Sequence, residues 1–576
     1  MKNYQAEYER WLNSDALSEE ERKELLSISN NEEIKEFRFA SPMNFGTAGL
    51  RSTMYMGISC MNRFTVIQTT RGLAELVKQK GAQMRGVAIG YDSRNNSELF
   101  ARSAASVLAG EGIRVFIFDD IRPTPELSFA VRETGALAGI NITASHNPKE
   151  YNGYKAYWED GAQLSPENAE IVKQASLKFD VLDVSGLMDF DEGVNSGIIT
   201  VLDKRFDDIY LSKVLETSIN KEAISDLGDE LKVVYTPLHG AGRVLVPEAF
   251  SRAGLKKLYT VDSQMIPDGN FPTVKKPNPE YREVFEDGIK LADSVGADLI
   301  IATDPDSDRV GVMARNLDGQ FETITGNQMG ALLLDFVINE RKRQNRLPKH
   351  SFAVKSIVST DMAYKIAEVN GITLHDVLTG FKYIGETVKL YEERGLEDGF
   401  LLGFEESYGY LLGTYARDKD AVETSLIILE MAAHYHKRGM TLIMALEELF
   451  RRYGYYREAV HDVYMEGLSG ISKRRAVMER LAAEPPKEIA GYRVTKIADY
   501  ARCVVTELDS GKTESTGQPS SEVFAYTLDS GDKVIIRPSG TEPKIKIYVL
   551  AHAASKDEVH LKSENILSEA IKLTVI

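Results

Sequence analysis

The chain has 576 residues, 43% of them hydrophobic and 27% charged, and a formal net charge of −17 at pH 7. That length predicts several hydrophobic cores, roughly three to five domains, in an ordinary globular chain and not a disordered one. The acidic balance argues against nucleic acid or an anionic membrane as partner, and two cysteines, Cys60 and Cys503, exclude a disulfide framework or a cysteine-built zinc site.

The first 26 residues read as charged helices, with Ser18 and Glu21 spaced as a capping box. They contain no apolar signal core, and no run of roughly 18 apolar residues occurs, so a cytoplasmic protein is expected. From about residue 85 the pattern alternates: "GVAIGYDS" as strand, "SELFARSAASVLAGEG" as helix, "IRVFIFDD" as strand. The same layout restarts at "LKVVYTPLHGAG" and again at "GNQMGALLLDFVINE" with "FAVKSIVST". Alternation of this kind predicts α/β units with largely parallel sheets. After about residue 450, "GYRVTKIADYARCVV" and "KVIIRPSGTEPKIKIYV" predict a small α+β domain with an antiparallel sheet and a helical C-terminus.

Four stretches carry chemistry. In "TASHNPKEYNGYK" an apolar run stops at Ser145 and His146, with Lys155 seven residues beyond Pro148. A lipase-type elbow is excluded because Thr143 and Asn147 stand where glycines are needed; a nucleophile and a capping turn both stay open. In "ADLIIATDPDSDRVGV" a buried-looking strand runs into Asp304, Asp306 and Asp308, which alternation along an extended segment would place on one side. Three gathered carboxylates need a cation, and oxygen-only ligands suit Mg²⁺. A calcium EF-hand is excluded, since Arg309 and Arg315 occupy its glycine and glutamate positions. "GFEESYGYLLGTYARDKD" offers Glu405, Glu406 and Ser407 for vicinal hydroxyls, or else a solvated charged loop. "VIIRPSGTEPKIKIYV" presents Arg537, Ser539, Gly540 and Thr541, a donor-rich turn suited to phosphate or merely a hairpin. "SGKT" at Ser510–Thr513 and "HGAGRVL" fail as Walker and dinucleotide motifs, because Thr506 and Leu245 replace required glycines.

Taken together, "GTAGLR", "TASHNPKEYNGYK", "DPDSDR", "GFEESYG" and "RPSGTEPKIKIYV" resemble the α-D-phosphohexomutase family, within it the long bacterial phosphoglucomutases and their phosphopentomutase-like relatives. The resemblance runs in order from residue 46 to 548 and implies three similar α/β domains with mixed sheets plus a C-terminal α+β domain around a central cleft. Its boundaries would fall at 1–205 (phosphoserine loop), 206–318 (metal loop), 319–448 (sugar loop) and 449–576 (distal phosphate loop). It implies interconversion of glucose 1-phosphate and glucose 6-phosphate through glucose 1,6-bisphosphate, which also serves as activator. Phosphomannomutase and phosphopentomutase activity are the alternatives; a regulatory protein or a phosphatase would need motif residues to be idle or water to reach them.

By the same resemblance Ser145 carries the phosphoryl group, and one Mg²⁺ per subunit sits on Ser145, Asp304, Asp306 and Asp308 beside Arg309. Arg51 and Lys155 lie near the reacting phosphate. Thr379, Gly380, Glu405, Ser407 and Arg417 hold the sugar, and Arg537, Ser539, Gly540 and Thr541 hold the distal phosphate. Some members carry a histidine after the sugar-loop serine; here Tyr408 and Gly409 follow Ser407, so Lys419 is expected as base, its pKa lowered by neighbouring cations, with His146 as second candidate.

Overall fold

The computed structural model describes residues 3–46, 49–465, 470–539 and 544–575. It opens with three helices, Asn3–Leu12, Glu19–Ser27 and Glu32–Phe39. Ser18 and Glu21 form the expected reciprocal cap, which satisfies two orphan backbone donors. Trp11 is fully buried, edge-on to Phe39 and Phe64, and this contact fastens the helices to the body that follows.

Three α/β sheets and one antiparallel sheet follow, in the expected sequence. In the first, the strands lie in spatial order Leu50–Thr53, Tyr151–Trp158, Ala138–Ile142, Val87–Tyr91, Val115–Phe118 and Ile199–Leu202. The last four are parallel, and Tyr151–Trp158 runs antiparallel between Ala138–Ile142 and the edge. Every residue of Ala138–Ile142 is buried, because helices cover both faces and the run can be continuously apolar. The second sheet sets Lys232–Thr236 parallel to Leu299–Thr303 and to Lys257–Thr260. Leu299–Thr303 then turns back antiparallel into Val310–Arg315, and Phe321–Ile324 closes that edge. The third places Thr373–Val377, Phe352–Ser356 and Phe400–Glu405 in parallel, with Gly409–Leu411 folded back against the last.

The fourth sheet is antiparallel throughout, with Tyr455–Tyr464 at one edge against Lys544–Ala553, which pairs in turn with Lys533–Pro538. The helix Lys556–Lys572 packs on it. Its apolar core is separate, built on Ile536, Ile547 and Ile566 among others. The first three units instead share one continuous apolar cluster from Leu127 through Val246 to Leu426. The helix Ala421–His436 makes this possible: it is buried nearly all round and packs against Gly242–Arg252 of the second unit.

Candidate active site

Ser145 lies three residues beyond the strand Ala138–Ile142, where the chain leaves the sheet. Its backbone is left-handed, φ 51°, a conformation that a tight network imposes. The Ser145 N–H donates to Thr143 Oγ1 (2.8 Å), and Thr143 in turn donates to Asp92 Oδ2 (2.6 Å). Arg94, buried and beside Asp92, donates to the carbonyls of Ser145, Asn147, Pro148 and Tyr151. One guanidinium therefore sets the path of the whole serine loop. Sequence reasoning missed Arg94; its only signal was a charged pair, Asp92 and Arg94, at the end of an apolar strand.

The aspartates gather differently from the expectation. They do not alternate along an extended segment; residues 304–308 are a turn between two antiparallel strands. The Ser307 N–H donates to the Asp304 carbonyl (2.9 Å) at a left-handed φ of 50°. Turning the chain back points all three carboxylates inward, with one oxygen of each within 4.8 Å of the others. The turn fits because "HGAG" packs under it: a Cβ at Gly240 would stand 2.4 Å from Pro305 Cα, and one at Gly242 2.6 Å from Ser307 Oγ. Those glycines serve close backbone approach, with the Ala241 N–H donating to the Pro305 carbonyl (2.8 Å).

Ser145 Oγ donates to Asp304 Oδ2 at 2.7 Å, joining parts of the chain 159 residues apart. Asp304 Oδ1 accepts from the backbone of Asp308 and Arg309. Lys155 reaches Asp306 Oδ2 (2.8 Å) and Asp308 Oδ2 (3.2 Å); Lys419 reaches Asp308 Oδ2 (3.2 Å) and Asp418 Oδ1 (2.9 Å). Thr124, at the start of a helix, also donates to Asp306 Oδ2 (2.9 Å), a contact the sequence did not announce. Asp306 Oδ1 and Asp308 Oδ1 remain buried without a hydrogen-bond partner. Two orphaned, inward-facing carboxylate oxygens are the donor set a hard divalent cation takes, so these residues fit a metal ion.

The titrations follow from this crowding. Burial, then Asp306 and Asp308, push the Asp304 carboxyl well above the usual range. Burial also opposes ionisation of Asp308, but Lys419, Lys155 and Arg309 outweigh it and hold that group below the usual range. The expectation for Lys419 is reversed: burial lowers its pKa, yet the carboxylates of Asp308 and Asp418 outweigh burial and raise it, because anions and not cations are its nearest neighbours. His146 lies with Nδ1 3.2 Å from Ser145 Oγ; burial, then Arg309 and Arg51, push its pKa well down, which favours the neutral ring.

Around these groups a cavity of about 840 Å³ opens, lined by Arg51, His146, Arg309, Glu406, Ser407 and Lys546 among others. Arg51 donates to Asn147 Oδ1 (3.1 Å), and Arg309 pairs with Glu280 (2.5 Å). The Val310 N–H donates to the Tyr408 carbonyl (3.1 Å), tying the turn after Phe400–Glu405 to the aspartate hairpin. Glu405 Oε1 accepts from the Gly380 N–H (2.6 Å). Glu406, beside it, has its pKa pushed up to about 7 by burial and by Glu405. From the fourth unit Arg537 donates to Thr379 Oγ1, and Ser539 accepts from Arg474 through its carbonyl (2.7 Å). Gly540 and Thr541 lie outside the described residues.

Arg417 is brought elsewhere. It is fully buried, donates to the carbonyls of Thr414 and Ala416, and pairs with Glu392, while its N–H donates to Ser128 Oγ (2.9 Å). The family resemblance implied a sugar contact, but the Arg417 guanidinium is spent on Glu392 and on the carbonyls of its own loop. Arg417 instead fastens the third unit to the first.

Family models described as phosphoglucomutase/phosphomannomutase alpha/beta/alpha domains I, II and III match residues 42–180, 208–319 and 325–453. A phosphoglucomutase of Staphylococcus aureus is 37% identical over 527 residues, covering 91% of this chain and 92% of that one. In fold, the chain resembles the crystal structure of a putative phosphomannomutase from Thermus thermophilus (TM-score 0.66, 23% identity, covering 92% and 99% of the two chains). It also resembles the open form of the Paramecium phosphoprotein parafusin, a phosphoglucomutase (TM-score 0.67, 17% identity, 93% and 95% covered).

Proposed function

Because the chain belongs to the phosphoglucomutase/phosphomannomutase family, we propose that it interconverts glucose 1-phosphate and glucose 6-phosphate, with Ser145 carrying the transferred phosphoryl group. One observation carries the reading: Ser145 Oγ is held 2.7 Å from Asp304 in a carboxylate cluster that keeps two buried oxygens unpaired. A serine placed only to cap a turn needs no such neighbours.

In the forward half-reaction the bond between phosphorus and Ser145 Oγ breaks as a bond to the sugar's free hydroxyl oxygen forms, and the hydroxyl proton leaves to a nearby base. The product is glucose 1,6-bisphosphate, also the activator. It reorients in the cleft and returns its other phosphoryl group to Ser145. A Mg²⁺ held by Asp304, Asp306, Asp308 and the Ser145 phosphate would neutralise charge on the transferring oxygens. Lys155, Arg51 and Arg309 add positive charge at that end. Lys419, clamped between Asp308 and Asp418, suits stabilising the forming charge as an ammonium; neutral His146, beside Oγ, can take a proton. In the same proposal Glu405, Ser407, Thr379 and Gly380 orient sugar hydroxyls, and Arg537, Ser539, Gly540 and Thr541 hold the distal phosphate.

The division into 1–205, 206–318, 319–448 and 449–576 belongs to the same proposal, supported by the succession of four sheets. So does a cytoplasmic setting: among the described residues no helix is long and apolar enough to cross a membrane. The test is a coupled assay supplying glucose, mannose and ribose 1-phosphates in parallel. Glucose 1-phosphate is expected to give the highest kcat/KM; a higher value for either rival would reassign the substrate.

A further inference from the structure

A second cavity, of about 660 Å³, lies where the first three units meet and shares no lining residue with the cleft. Arg341 and Arg346 line it at the end of the helix Gly326–Arg343. Among the described residues neither forms an ion pair: Arg341 reaches only the Phe400 carbonyl and Arg346 only Gln344 Oε1, both at 3.4 Å. Burial, then repulsion from Arg346, lowers the pKa of Arg341. The negative end of a helix dipole favours basic residues there, but about half a charge does not neutralise two guanidiniums.

The cavity's other charges are mostly spent. Arg132 pairs with Glu392 (2.8 Å) and Lys213 with Glu216 (3.0 Å), and Asp398 is hydrogen-bonded to His350 (2.6 Å). Glu397 is the one lining carboxylate left over, and it buries an oxygen that finds no partner. Two guanidiniums thus face a polar cavity with no ion pair among the described residues, although the Glu423 and Asp398 carboxylates act on Arg341 in the opposite sense to burial. Arginine forks of this kind take phosphate or carboxylate groups.

The cavity is also wired to the reaction end of the cleft. Thr414 and Tyr415 line it; Tyr415 donates to Asp420 Oδ2 (2.7 Å), and Thr414 accepts from Arg417. Asp420 and Arg417 flank Asp418 and Lys419, so the cavity wall and the Lys419 segment are one stretch of chain. Glu392, paired with both Arg132 and Arg417, joins the first and third units at the same place.

We propose that this cavity is a second anion site, taking a small phosphate- or carboxylate-bearing molecule on Arg341 and Arg346, and that its occupancy adjusts the Lys419 segment. The test uses inorganic anions. Crystals grown free of phosphate and sulfate are soaked in millimolar tungstate, and anomalous peaks are compared between wild type and Arg341→Gln/Arg346→Gln. A peak between the two arginines is expected in wild type and not in the double variant, while tungstate in the cleft persists in both. Should the double variant fail to fold, Arg346→Gln alone, at the exposed rim, is expected to lower that peak's occupancy. A filled cleft with nothing at the arginines, or a peak that survives their substitution, overturns the site. In solution, inorganic phosphate is expected to inhibit the wild-type mutase partly in a manner saturating substrate does not relieve, a component the double variant loses. Identical inhibition in both proteins overturns the coupling; this kinetic arm rests on the mutase reading, whereas the crystal arm does not.

Discussion

At the serine end of the cleft, Ser145, Lys155, Asp304, Asp306 and Asp308 are all buried, none more than 5% exposed, and hydrogen bonds join them across the first two units. At the other end, half-buried Arg537 reaches Thr379 from a hairpin whose unit has its own apolar core. The three units around the serine share one cluster; the fourth meets them through a small seam of Ile357, Val358 and Leu378 against Val523, Ile535 and Tyr548, and through Tyr455 stacked on Phe450. On the proposed reading, the contrast follows from the two tasks. Phosphoryl transfer gains from groups fixed before the substrate arrives, because they need no rearrangement as charge develops. The distal end has only to grip a phosphate, and in a mutase it must do so for either orientation of the sugar.

Removing the cation should separate the two ends most sharply. Exhaustive chelation is expected to lower kcat by roughly a thousandfold or more, with Mg²⁺ restoring it, since several kcal/mol of charge stabilisation is lost at the transferring group. Zn²⁺, which prefers fewer ligands, should not substitute. Full turnover after chelation would break the account of the serine end.

Lys419→Ala comes next. Loss of a positioned proton-handling or charge-stabilising group costs about 10²- to 10⁴-fold in kcat. Phosphate on Ser145 should persist, because Lys155 and the aspartates remain. Near-normal kcat would hand the role to His146 or Lys155.

Arg537→Ala probes the far end. Losing a charge-assisted contact costs about 1.5–3 kcal/mol, so kcat/KM should fall roughly ten- to a hundredfold in both directions, with phosphoserine content intact. Arg537→Lys should recover part of it, since a point charge cannot reproduce the fork. Unchanged kinetics would leave the hairpin purely structural.

The smallest effect is on stability. Burial raises the pKa of Glu458, on a fourth-unit strand lining the cleft, from 4.5 to about 7. A raised folded-state pKa means that this group's contribution to stability is full below about pH 4.5 and is lost as pH rises through about 7. Glu458→Gln should therefore leave stability unchanged near pH 4 and raise it by on the order of 1–3 kcal/mol above about pH 8. Equal urea midpoints for the two proteins at high pH would show that Glu458 is solvated.

Much of this architecture was legible because it rests on local pattern. Alternating apolar runs located the strands at Val87, Lys232, Leu299 and Phe352, and the capping signature located the helix after Ser18. Asp304, Asp306 and Asp308 stood out because like charges crowded at a strand end have few structural uses. What stayed hidden depends on contacts between distant segments. Arg94 looks like any surface arginine until the chain closes and four carbonyls converge on it. Arg417 looks like a ligand until burial shows it bracing two units. The direction of the Lys419 shift was misjudged because cleft cations were expected around it, whereas Asp418, its neighbour in sequence, and Asp308, brought in by the fold, both pair with it.

The central claim is that Ser145 is the phosphoryl carrier, and it can be read directly. Intact-mass measurement and peptide mapping of the purified protein should find phosphate on the peptide containing Ser145. Ser145→Ala should lose that phosphate and lower kcat by roughly 10⁴-fold or more, because the nucleophile itself is gone. Phosphate mapped reproducibly to another residue, with turnover surviving in Ser145→Ala, would contradict the account.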